Sequence, residues 1–527
     1  MKGAPRAGLA AAASSVLLWV LFLPAADFER ERLALEWRPS ALVLLLAAGL
    51  GALALWRVRL GWTARLALAA VLLAAALLQA AQALVLSLLD RPLDLYFDLA
   101  HVPSLVGLAA ASLGPWQAAG ALVFAALAAA ALVAAVAWAI LAWQDVLAQR
   151  RRAVVVLAIA ALALGQGAGH GLVSFAAADA IADQGRRLAH AGAVLTGLDH
   201  SYDAALQAPE PSGDLAALAG RDVFLVFVES YGTAALDEPG LRERVAPALA
   251  EFAAAIRHAG YGMVSSRLVS PVFGAGSWLA HGTIESGLKL DPFLDQLLTR
   301  SGRATLARDL AVSGHHTVAV MPGIKKPWPE SASWGFQRTL FARDLRYDGP
   351  AFGWFDIPDQ YTLARFTERE LGPGHAPLFA EIVLVSSHTP FAPVPPYVAD
   401  WRGDDPYRGL AQDEWRRIYA EPDWAHLERP YLSSIEYDLK TLAGWLAALP
   451  GDGLVIILGD HQPPGIVSGA SSPWTVPIHV LSRDPALIAP FARQGYVEGA
   501  LPPRDSHVKG MESFLGDFLA GFSTAGS

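Results

Sequence analysis

The first third of the chain is built from long apolar runs. Residues 1–177 are dominated by Ala, Leu and Val, and short charged loops separate the runs. Most of these runs reach the roughly 20 residues that a helix needs to cross the hydrocarbon of a bilayer. We therefore predict an N-terminal transmembrane α-helical bundle of about five helices. They are expected at about 8–26, 40–56, 66–88, 117–142 and 153–175.

Two segments of this region have a second interpretation. The sequence from Leu23 to Asp27 resembles a processing site, so the first span could be a cleaved signal peptide. The later spans require integration into a membrane in either case. Residues 92–115 are amphipathic, and we expect them to lie along the outer interface. If they crossed instead, the count would be six and the large domain would be cytoplasmic.

Basic residues set the expected orientation, because cytoplasmic loops carry an excess of Lys and Arg. With the N-terminus in the cytoplasm, three basic clusters fall on that side. They are Lys2 with Arg6, then Arg57, Arg59 and Arg65, then Arg150, Arg151 and Arg152. Five crossings place residues 178–527 outside. We predict a multi-pass protein of the cell (inner) membrane with a catalytic domain facing the periplasm or the outside.

Charge and cysteine content limit the partners of residues 178–527. This part carries 28 basic and 41 acidic residues, a net charge of −13, which disfavours nucleic acid as a partner. The chain has no cysteine. Thiol catalysis and a cysteine-based zinc site are therefore excluded, and the domain needs no disulfides in an oxidising location.

Two apolar, β-branched runs end in polar side chains of one chemical kind. Val223 to Val228 lead into Glu229, and LVIIL at 454–458 leads through Gly459 into Asp460 and His461. In open α/β sheets the ligand crevice lies beyond the carboxyl ends of the strands. Carboxylates and an imidazole in one place suit a divalent cation. The alternative is an ordinary strand-end Glu and a turn with a cap.

Strand-like and helix-like segments alternate through the second region. This pattern predicts an α/β domain with a doubly wound, mostly parallel sheet. Strands are expected at 223–228, 262–269, 316–321, 379–386, 454–458 and 476–481, and helices at 241–258, 305–313, 359–371, 431–448 and 507–522. The Pro- and Trp-rich connections 322–336 and 390–424 lack periodicity, and loops of that length are usually functional or lid-like.

Ser277 is the candidate nucleophile. Gly274 and Gly276 precede it, and a helical pattern follows. A hydroxyl at a helix N-terminus meets unpaired N–H groups and the positive end of the dipole, which favour an anionic group. A neighbouring metal would also lower the pKa of the hydroxyl. Ser277 could instead be a simple N-cap, and Thr283 is the weaker alternative nucleophile.

A further polar element, His388, follows the apolar run FAEIVLV. It is expected at the same edge of the sheet as Asp460 and His461, where it could bind a phosphoryl oxygen or act as an acid or base. The alternative is that His388 is structural, which is common for a lone strand-end histidine.

These motifs together resemble a known family. The apolar spans, Glu229, the later hydroxyl, the His-x-Pro-Phe loop at 388–391 and the Gly-Asp-His strand end are similar to the alkaline phosphatase/sulfatase superfamily. The branch they resemble is that of membrane-anchored phosphoglycerol transferases of the lipoteichoic acid synthase type. The resemblance covers nearly the whole chain, and it implies a sulfatase-like catalytic domain at 178–527 after the membrane domain at 1–177.

The resemblance also implies roles for single residues. Glu229, Ser277, Asp460 and His461 would surround one divalent metal ion (Mn, Zn or Mg), and His388 would assist at the phosphate. Trp328 resembles an aromatic residue that contacts the donor head group. The family's Arg two residues further on is replaced by Glu330, so Lys325 or Lys326 would have to supply the positive charge. The family's usual Thr nucleophile is replaced by Ser277.

The sequence disfavours two sibling activities of the superfamily. The run Ser277-Trp-Leu-Ala-His281 lacks the small residue at the third position and the Arg at the fifth position of the sulfatase signature. Phosphoethanolamine transferases usually carry disulfides in the soluble domain, whereas this chain has no cysteine. A phosphodiesterase-type hydrolase is the nearest enzymatic alternative. A polytopic membrane protein with a degenerate ligand-binding outer domain is the non-enzymatic one, although the spans carry few polar residues.

The expected reaction is ping-pong substitution at phosphorus. Ser277 would attack a phosphodiester of a membrane phospholipid donor and release diacylglycerol. A glycan hydroxyl outside the cytoplasm would then take the phospho-substituent, most simply phosphoglycerol, from the serine.

Overall fold

The chain folds into two compact units, Met1–Leu198 and Asp199–Ser527. A computed structural model of the protein describes residues 4–27, 32–103, 106, 115–167, 173–353, 355–399, 407, 426–469, 472–502, 504 and 508–524. The boundary between the two units lies about twenty residues after the expected division at 177/178. The reason is that residues 176–195 form a helix that packs within the first unit. Most of the predicted connection 390–424 lies outside the described residues.

The first unit is a helical bundle with one small hairpin. Its helices are α1 (Ala4–Leu21), α2 (Ala41–Leu55), α3 (Trp62–Leu89), α4 (Pro115–Gly167) and α5 (Ala176–Leu195), with short turns at Leu95–Asp98 and Leu99–His101. Strands β1 (Pro24–Asp27) and β2 (Arg32–Leu35) pair antiparallel. Leu18, Leu46, Leu72 and Ile140 are buried in one cluster that joins α1 to α4. Much of 92–115 lies outside the described residues.

Two helical segments among the described residues are long and apolar enough to cross a membrane. They are Trp62–Leu89 and Trp116–Ala148, and shorter apolar segments run over Leu9–Leu21 and Ala41–Leu55. The expected spans 117–142 and 153–175 do not separate, because α4 continues without a break to Gly167. Residues 143–152 contain neither Gly nor Pro, and Arg, Gln, Leu and Ala are good helix formers. Charge alone does not end this helix.

The second unit is an α/β domain whose described residues include a nine-stranded sheet. The strands are β3 (Val223–Val228), β4 (Gly262–Val269), β5 (His316–Met321), β6 (Arg338–Phe341), β7 (Leu378–Leu384), β8 (Leu454–Gly459), β9 (Thr475–Ser482), β10 (Val497–Glu498) and β11 (Lys509–Gly510). Their order is β10-β4-β9-β8-β3-β7-β5-β6, with β11 beside β4. The run from β8 to β6 is parallel, and β9 pairs antiparallel with β8 and β4.

Helices cover both faces of this sheet. They are α6 (Pro239–His258), α7 (Ser277–Ser286), α8 (Pro292–Ser301), α9 (Leu306–Val312), α10 (Asp359–Glu370), α11 (Glu428–Ala448), α12 (Pro485–Arg493) and α13 (Phe514–Phe522), with short turns at Asp203–Leu206, Ala234–Asp237, Ser331–Trp334, Ala342–Leu345 and Gly465–Ser468. Alternate residues of β3 enter two different cores: Phe224 and Val226 pack on one face, Leu225 and Phe227 on the other. This alternation is typical of a parallel strand buried on both sides.

The predicted fold class is confirmed. All six expected strands are present within one or two residues of their predicted limits, and the sheet is mostly parallel. Strand β6 was not expected, because it has four residues, begins at an exposed Arg338 and pairs only with β5 among the described strands. Helix α13 begins at Phe514 rather than at 507, after a 3₁₀ turn at Met511–Ser513.

Candidate metal centre

The pairing of β3 with β8 brings the two strand-end motifs together. Val228 lies opposite Gly459 in this parallel pair, so Glu229 and Asp460 leave neighbouring strands side by side. Val228 also pairs with Leu384 of β7, which places the 385–391 loop on the other side of Glu229. The sheet therefore delivers three sequence-distant segments to one edge, as expected for a parallel sheet.

Glu229, Asp460 and His461 form one buried cluster. His461 Nε2 lies 3.4 Å from Glu229 Oε1 and 3.6 Å from Asp460 Oδ2. One ligand atom from each residue lies within 4.8 Å of the other two. Each residue is at most 4% exposed. Buried carboxylates without a compensating positive charge are unfavourable, so this convergence favours a cation.

The donor atoms fit a divalent metal ion. Asp460 Oδ2 is buried without a hydrogen-bond partner among the described residues, whereas Oδ1 accepts the N–H groups of Ser230 at 2.8 Å and His461 at 2.6 Å. The Nδ1 atom of His461 lies 2.7 Å from the Gln462 carbonyl. An imidazole that donates from Nδ1 presents Nε2 as the metal ligand. Two carboxylates and one imidazole suit zinc or manganese.

The acid–base properties of the cluster also favour a bound cation. Burial raises the pKa of Asp460 to about 6, and the neighbouring Glu229 charge contributes to this rise. Burial alone would lower the pKa of His461, but Asp460 and Glu229 outweigh it and the pKa is raised. The charges of these groups thus depend on one another, and a bound cation would favour two carboxylates and a neutral imidazole.

Backbone geometry keeps the two strand ends close. A Cβ atom on Gly459 would lie 1.9 Å from the carbonyl oxygen of Tyr231, so only glycine fits at this position. Ser230 adopts a left-handed conformation with φ of 57° directly after Glu229. Tyr431 donates to the Ser230 carbonyl at 3.1 Å, and Ser387 donates to the Glu229 carbonyl at 2.7 Å. These contacts fix the direction in which Glu229 leaves its strand.

Ser277 lies in contact with this cluster. Gly276, at φ of 90°, is the N-cap of α7, and Ser277 is the first helical residue. Its hydroxyl donates to Glu229 Oε2 at 3.1 Å, and Oγ lies 3.2 Å from His461 Nε2. The alternative Thr283 is fully buried within the helix, and its hydroxyl accepts the Leu290 N–H at 3.0 Å. The structure thus brings Ser277 to the candidate metal ligands and gives Thr283 a structural contact.

His388 lies near the same cluster in a neutral state. Its Nδ1 atom is 2.7 Å from the Thr389 carbonyl, and its ring packs edge-on against Phe355 at a centroid distance of 4.8 Å. Burial lowers the pKa of His388 to about 4, and the charge of His461 adds to this effect. With Nδ1 donating to Thr389, the other ring nitrogen is an acceptor.

The residues of the 322–336 connection separate into two groups. Trp328 packs against Phe341 and, with Glu330, lines a cavity of about 560 Å³. Lys325 instead forms an ion pair with Asp356 at 2.5 Å, and Lys326 is exposed. Neither lysine lines this cavity. The structure therefore places Trp328 in a cavity without bringing either lysine to it.

The polar residues of this lining that the motifs did not single out include His281, Glu285 and Glu381. His281 and Glu285 follow Ser277 at intervals of four residues along α7. Glu381 is the one carboxylate in β7, and it is 1% exposed. Two signals were present in the sequence: the four-residue spacing from Ser277 and a single acidic residue inside an apolar strand.

Comparisons with known proteins give structural likenesses without a sequence match. The sequence matches no family profile and no curated protein. The lipoteichoic acid synthase LtaP from Listeria monocytogenes shares 13% identity at a TM-score of 0.40, over 62% of this chain and 78% of that one. A protein in the alkaline phosphatase superfamily from Vibrio parahaemolyticus shares 17% at a TM-score of 0.33, over 52% and 62%.

A third solved structure extends over both regions of the chain. It is the integral membrane lipooligosaccharide phosphoethanolamine transferase EptA from Neisseria meningitidis, with 12% identity, a TM-score of 0.45 and coverage of 92% of this chain and 95% of that one. All three structures share between 12% and 17% identity with this chain at TM-scores of 0.33 to 0.45.

Proposed function

We propose that this protein is a metal-dependent membrane enzyme that transfers a phospho-substituent from a membrane lipid to an acceptor hydroxyl through a covalent phosphoserine. The observation that carries the proposal is the position of Ser277. Its Oγ atom lies 3.1 Å from Glu229 Oε2 and 3.2 Å from His461 Nε2, at the first position of a helix. A nucleophile in contact with an activating group is the expected arrangement for covalent catalysis.

Glu229, Asp460 and His461, with Ser277, would hold the cation. When bound, a divalent ion supplies a Lewis acid that lowers the pKa of a hydroxyl and offsets negative charge on phosphoryl oxygens. Glu229 Oε2 accepts the Ser277 hydroxyl hydrogen and so directs the remaining lone pairs of Oγ away from the carboxylate. The N-terminus of α7, which is the positive end of the helix dipole, favours the negative charge that gathers around phosphorus.

The reaction has two balanced halves. In the first, Ser277 Oγ bonds to the phosphorus of the donor, the bond from phosphorus to the lipid oxygen breaks, and the Ser277 proton ends on the released diacylglycerol. In the second, the oxygen of the acceptor hydroxyl bonds to phosphorus, the bond to Ser277 breaks, and the acceptor proton returns to Oγ. The serine hydroxyl is thereby restored.

His388 is assigned to the second half. The imidazole donates from Nδ1 to the Thr389 carbonyl, so Nε2 carries the lone pair that would accept the hydrogen of an incoming hydroxyl. This assignment differs from direct binding of a phosphoryl oxygen by an N–H group of His388, because Nδ1–H is already used.

Phosphoglycerol is the substituent favoured by the motif resemblance, and an extracytoplasmic glycan is the favoured acceptor. A tether in the inner membrane, with the catalytic domain facing the periplasm or the outside, would keep the pocket near a phospholipid donor. The apolar helices Trp62–Leu89 and Trp116–Ala148 support a membrane location. The runner-up is hydrolysis of a phosphate diester, a phosphate ester or a sulfate ester at the same centre. In that reaction water takes the place of the acceptor hydroxyl and releases the substituent from Ser277.

Mass spectrometry tests the proposal directly. Purified full-length protein is incubated with phosphatidylglycerol vesicles, and we expect a glycerophosphoryl adduct on the peptide that contains Ser277, together with released diacylglycerol. The Ser277→Ala variant should show neither product while retaining its metal. In the Asp460→Asn variant we expect both the metal content and the adduct to fall. Metal content that is unchanged in Glu229, Asp460 and His461 variants would overturn the proposed centre.

A further inference from the structure

The cavity beside α7 is a candidate binding site in its own right. It has a volume of about 560 Å³, and its lining includes Trp278, Trp328 and Trp334 together with His281, Glu285 and Glu381. We propose that this cavity binds an ammonium group of a substrate. The proposal rests on the function proposed above, for which it names a chemical class of substrate.

The floor of the cavity carries polar atoms that lack partners. Glu285 Oε1, Glu381 Oε2 and His281 Nε2 are buried without a hydrogen-bond partner among the described residues. Both carboxyl groups belong to residues that are 1% exposed. Buried polar atoms are nearly always satisfied in native proteins, and unsatisfied ones at a cavity mark a place for a ligand that donates hydrogen bonds. An ammonium group has donors and no acceptor.

The acidic side chains of the lining favour a cation. Asp295 and Glu330 add two further carboxylates to Glu285 and Glu381, whereas Arg300 is the one Lys or Arg residue in the lining. An anion such as a free phosphate would therefore meet mainly acidic side chains. The tryptophan walls add a second attraction, because indole faces bind ammonium groups through cation–π interactions. Trp278 is 46% exposed and thus lies at the solvent side of the cavity.

An organic cation fits this site better than a second metal ion. The His281 Nδ1 atom lies 3.8 Å from Glu381 Oε1, but the described residues bring metal-ligating atoms of three residues within 4.8 Å of one another only at Glu229, Asp460 and His461. A transition metal requires ligand atoms at about 2.0–2.3 Å from one centre. The cavity is also far larger than a single ion.

Helix α7 connects the cavity to the nucleophile. His281 and Glu285 lie four and eight residues after Ser277, and four residues of an α-helix rise about 6 Å. The cavity floor is therefore about one to two helical turns from Ser277. A short aminoalcohol on the phosphorus of the donor is long enough for the nearer of these distances only, whereas an amino group on an acceptor sugar suits the farther one. Both sources present the same ammonium chemistry.

Matched ligand pairs test the proposal and separate the two sources. The probes are glycerophosphoethanolamine against glycerophosphoglycerol for the donor, and glucosamine against glucose for the acceptor. Binding is measured by calorimetry on the full-length, metal-loaded Ser277→Ala variant, which cannot turn over. We expect the amine of one pair to bind at least tenfold more tightly than its neutral partner. Equal affinities within both pairs would overturn the proposal.

Substitutions in the cavity floor provide a second test of the proposed ammonium site. In the Ser277→Ala background, Glu381→Gln should remove the preference for the amine and leave binding of the neutral probe within about twofold. Glu285→Gln should act likewise, and it replaces Glu381→Gln if that variant fails to fold. Glu251→Gln, on the exposed side of α6, is the matched control. If either floor variant lost one equivalent of metal, the site would be a second cation site and the proposal would be wrong.

The result is independent of whether transfer occurs. An amine preference that persists in a protein without a Ser277 adduct would retain the binding site and reject the transferase mechanism. A Ser277 adduct without any amine preference would support the transferase mechanism and reject the binding site.

Discussion

At the scale of single residues, Ser277 carries the proposed chemistry. Its hydroxyl has one hydrogen and contacts both Glu229 and His461. An N-cap serine would instead accept an N–H from its own helix, and in this chain Gly276 occupies the N-cap position. The contacts of Ser277 thus point toward the metal ligands rather than toward helix capping.

The Ser277 variants should separate chemistry from folding. Ser277→Ala removes the nucleophile, so we expect turnover to fall at least a thousandfold while the metal content and the melting temperature stay close to wild type. Ser277→Thr keeps a hydroxyl at the same place and should retain part of the activity. Initial rates of diacylglycerol release from vesicles measure both. Full activity of Ser277→Ala would contradict the assignment, and Thr283 would be tested next.

The neighbouring buried carboxyl groups of Glu285 and Glu381 should make stability depend on pH. Burial raises the pKa of Glu381 to about 7, and burial together with the Glu381 charge raises the pKa of Glu285 well above 4.5. A folded state that holds a proton more tightly than the unfolded state loses stability as pH rises from about 4.5 to about 7. The Glu381→Gln variant carries no such proton.

We therefore expect the melting temperature of the wild type to fall more steeply over pH 4.5 to 7 than that of Glu381→Gln. Tryptophan fluorescence of the purified full-length protein measures both curves. The comparison reports on Glu381 together with Glu285, whose pKa depends on the Glu381 charge, because other buried carboxyl groups with raised pKa values, such as Asp438, are common to both proteins. Parallel curves would show that Glu381 is ionised alike in the folded and unfolded states.

At the scale of elements, the end of β8 fixes the geometry of the centre. Gly459 faces the Tyr231 carbonyl so closely that a Cβ atom would lie 1.9 Å away. Gly459→Ala should therefore push β8 from the turn that follows β3, at a cost of about 1–3 kcal/mol, and displace Asp460. We expect a lower melting temperature and reduced metal content.

Gly240→Ala is the matched control for this substitution. Gly240 lies in the first turn of α6, and a Cβ atom there meets nothing within 4 Å. Its melting temperature should equal or exceed that of wild type, because alanine favours a helix over glycine. A Gly459→Ala variant as stable and as metal-loaded as this control would show that the turn after β3 adapts freely.

The strands and the convergence of Glu229, Asp460 and His461 were predictable from sequence, because apolar runs that end in polar residues mark both. Val223–Val228 and Leu454–Gly459 are continuous buried runs, and the residues that follow them meet because parallel strands share an edge. The cavity was not predictable in the same way. In the sequence Glu381 is one residue of an apolar strand. Glu285 and Trp334, which line the cavity with it, belong to other elements. Packing between elements, rather than any local pattern, creates such a site.

At the scale of the whole molecule, helix α4 changes how the membrane region is understood. The basic cluster at 150–152 was expected to lie in a loop, yet Pro115–Gly167 is one helix. A helix of 53 residues is about 80 Å long, whereas the hydrocarbon core of a bilayer is about 30 Å thick. Much of α4 must therefore extend beyond the hydrocarbon if its apolar segment Trp116–Ala148 crosses.

The orientation of the second unit can be measured by fusions. Because Lys and Arg favour the cytoplasmic side, we expect a fusion after Gly61, beside Arg57 and Arg59, to be cytoplasmic. We expect a fusion after Leu198 to be exported, which requires residues 153–175 to cross the bilayer as a fifth span, whereas a single crossing of α4 over Trp116–Ala148 would make both fusions cytoplasmic. Alkaline phosphatase is active only when exported, and green fluorescent protein fluoresces only when retained. At Leu198 we therefore expect an active phosphatase and a dark fluorescent protein, with the opposite pair at Gly61. A fluorescent, phosphatase-inactive pair at Leu198 would place the metal centre in the cytoplasm, where an extracytoplasmic glycan cannot be the acceptor.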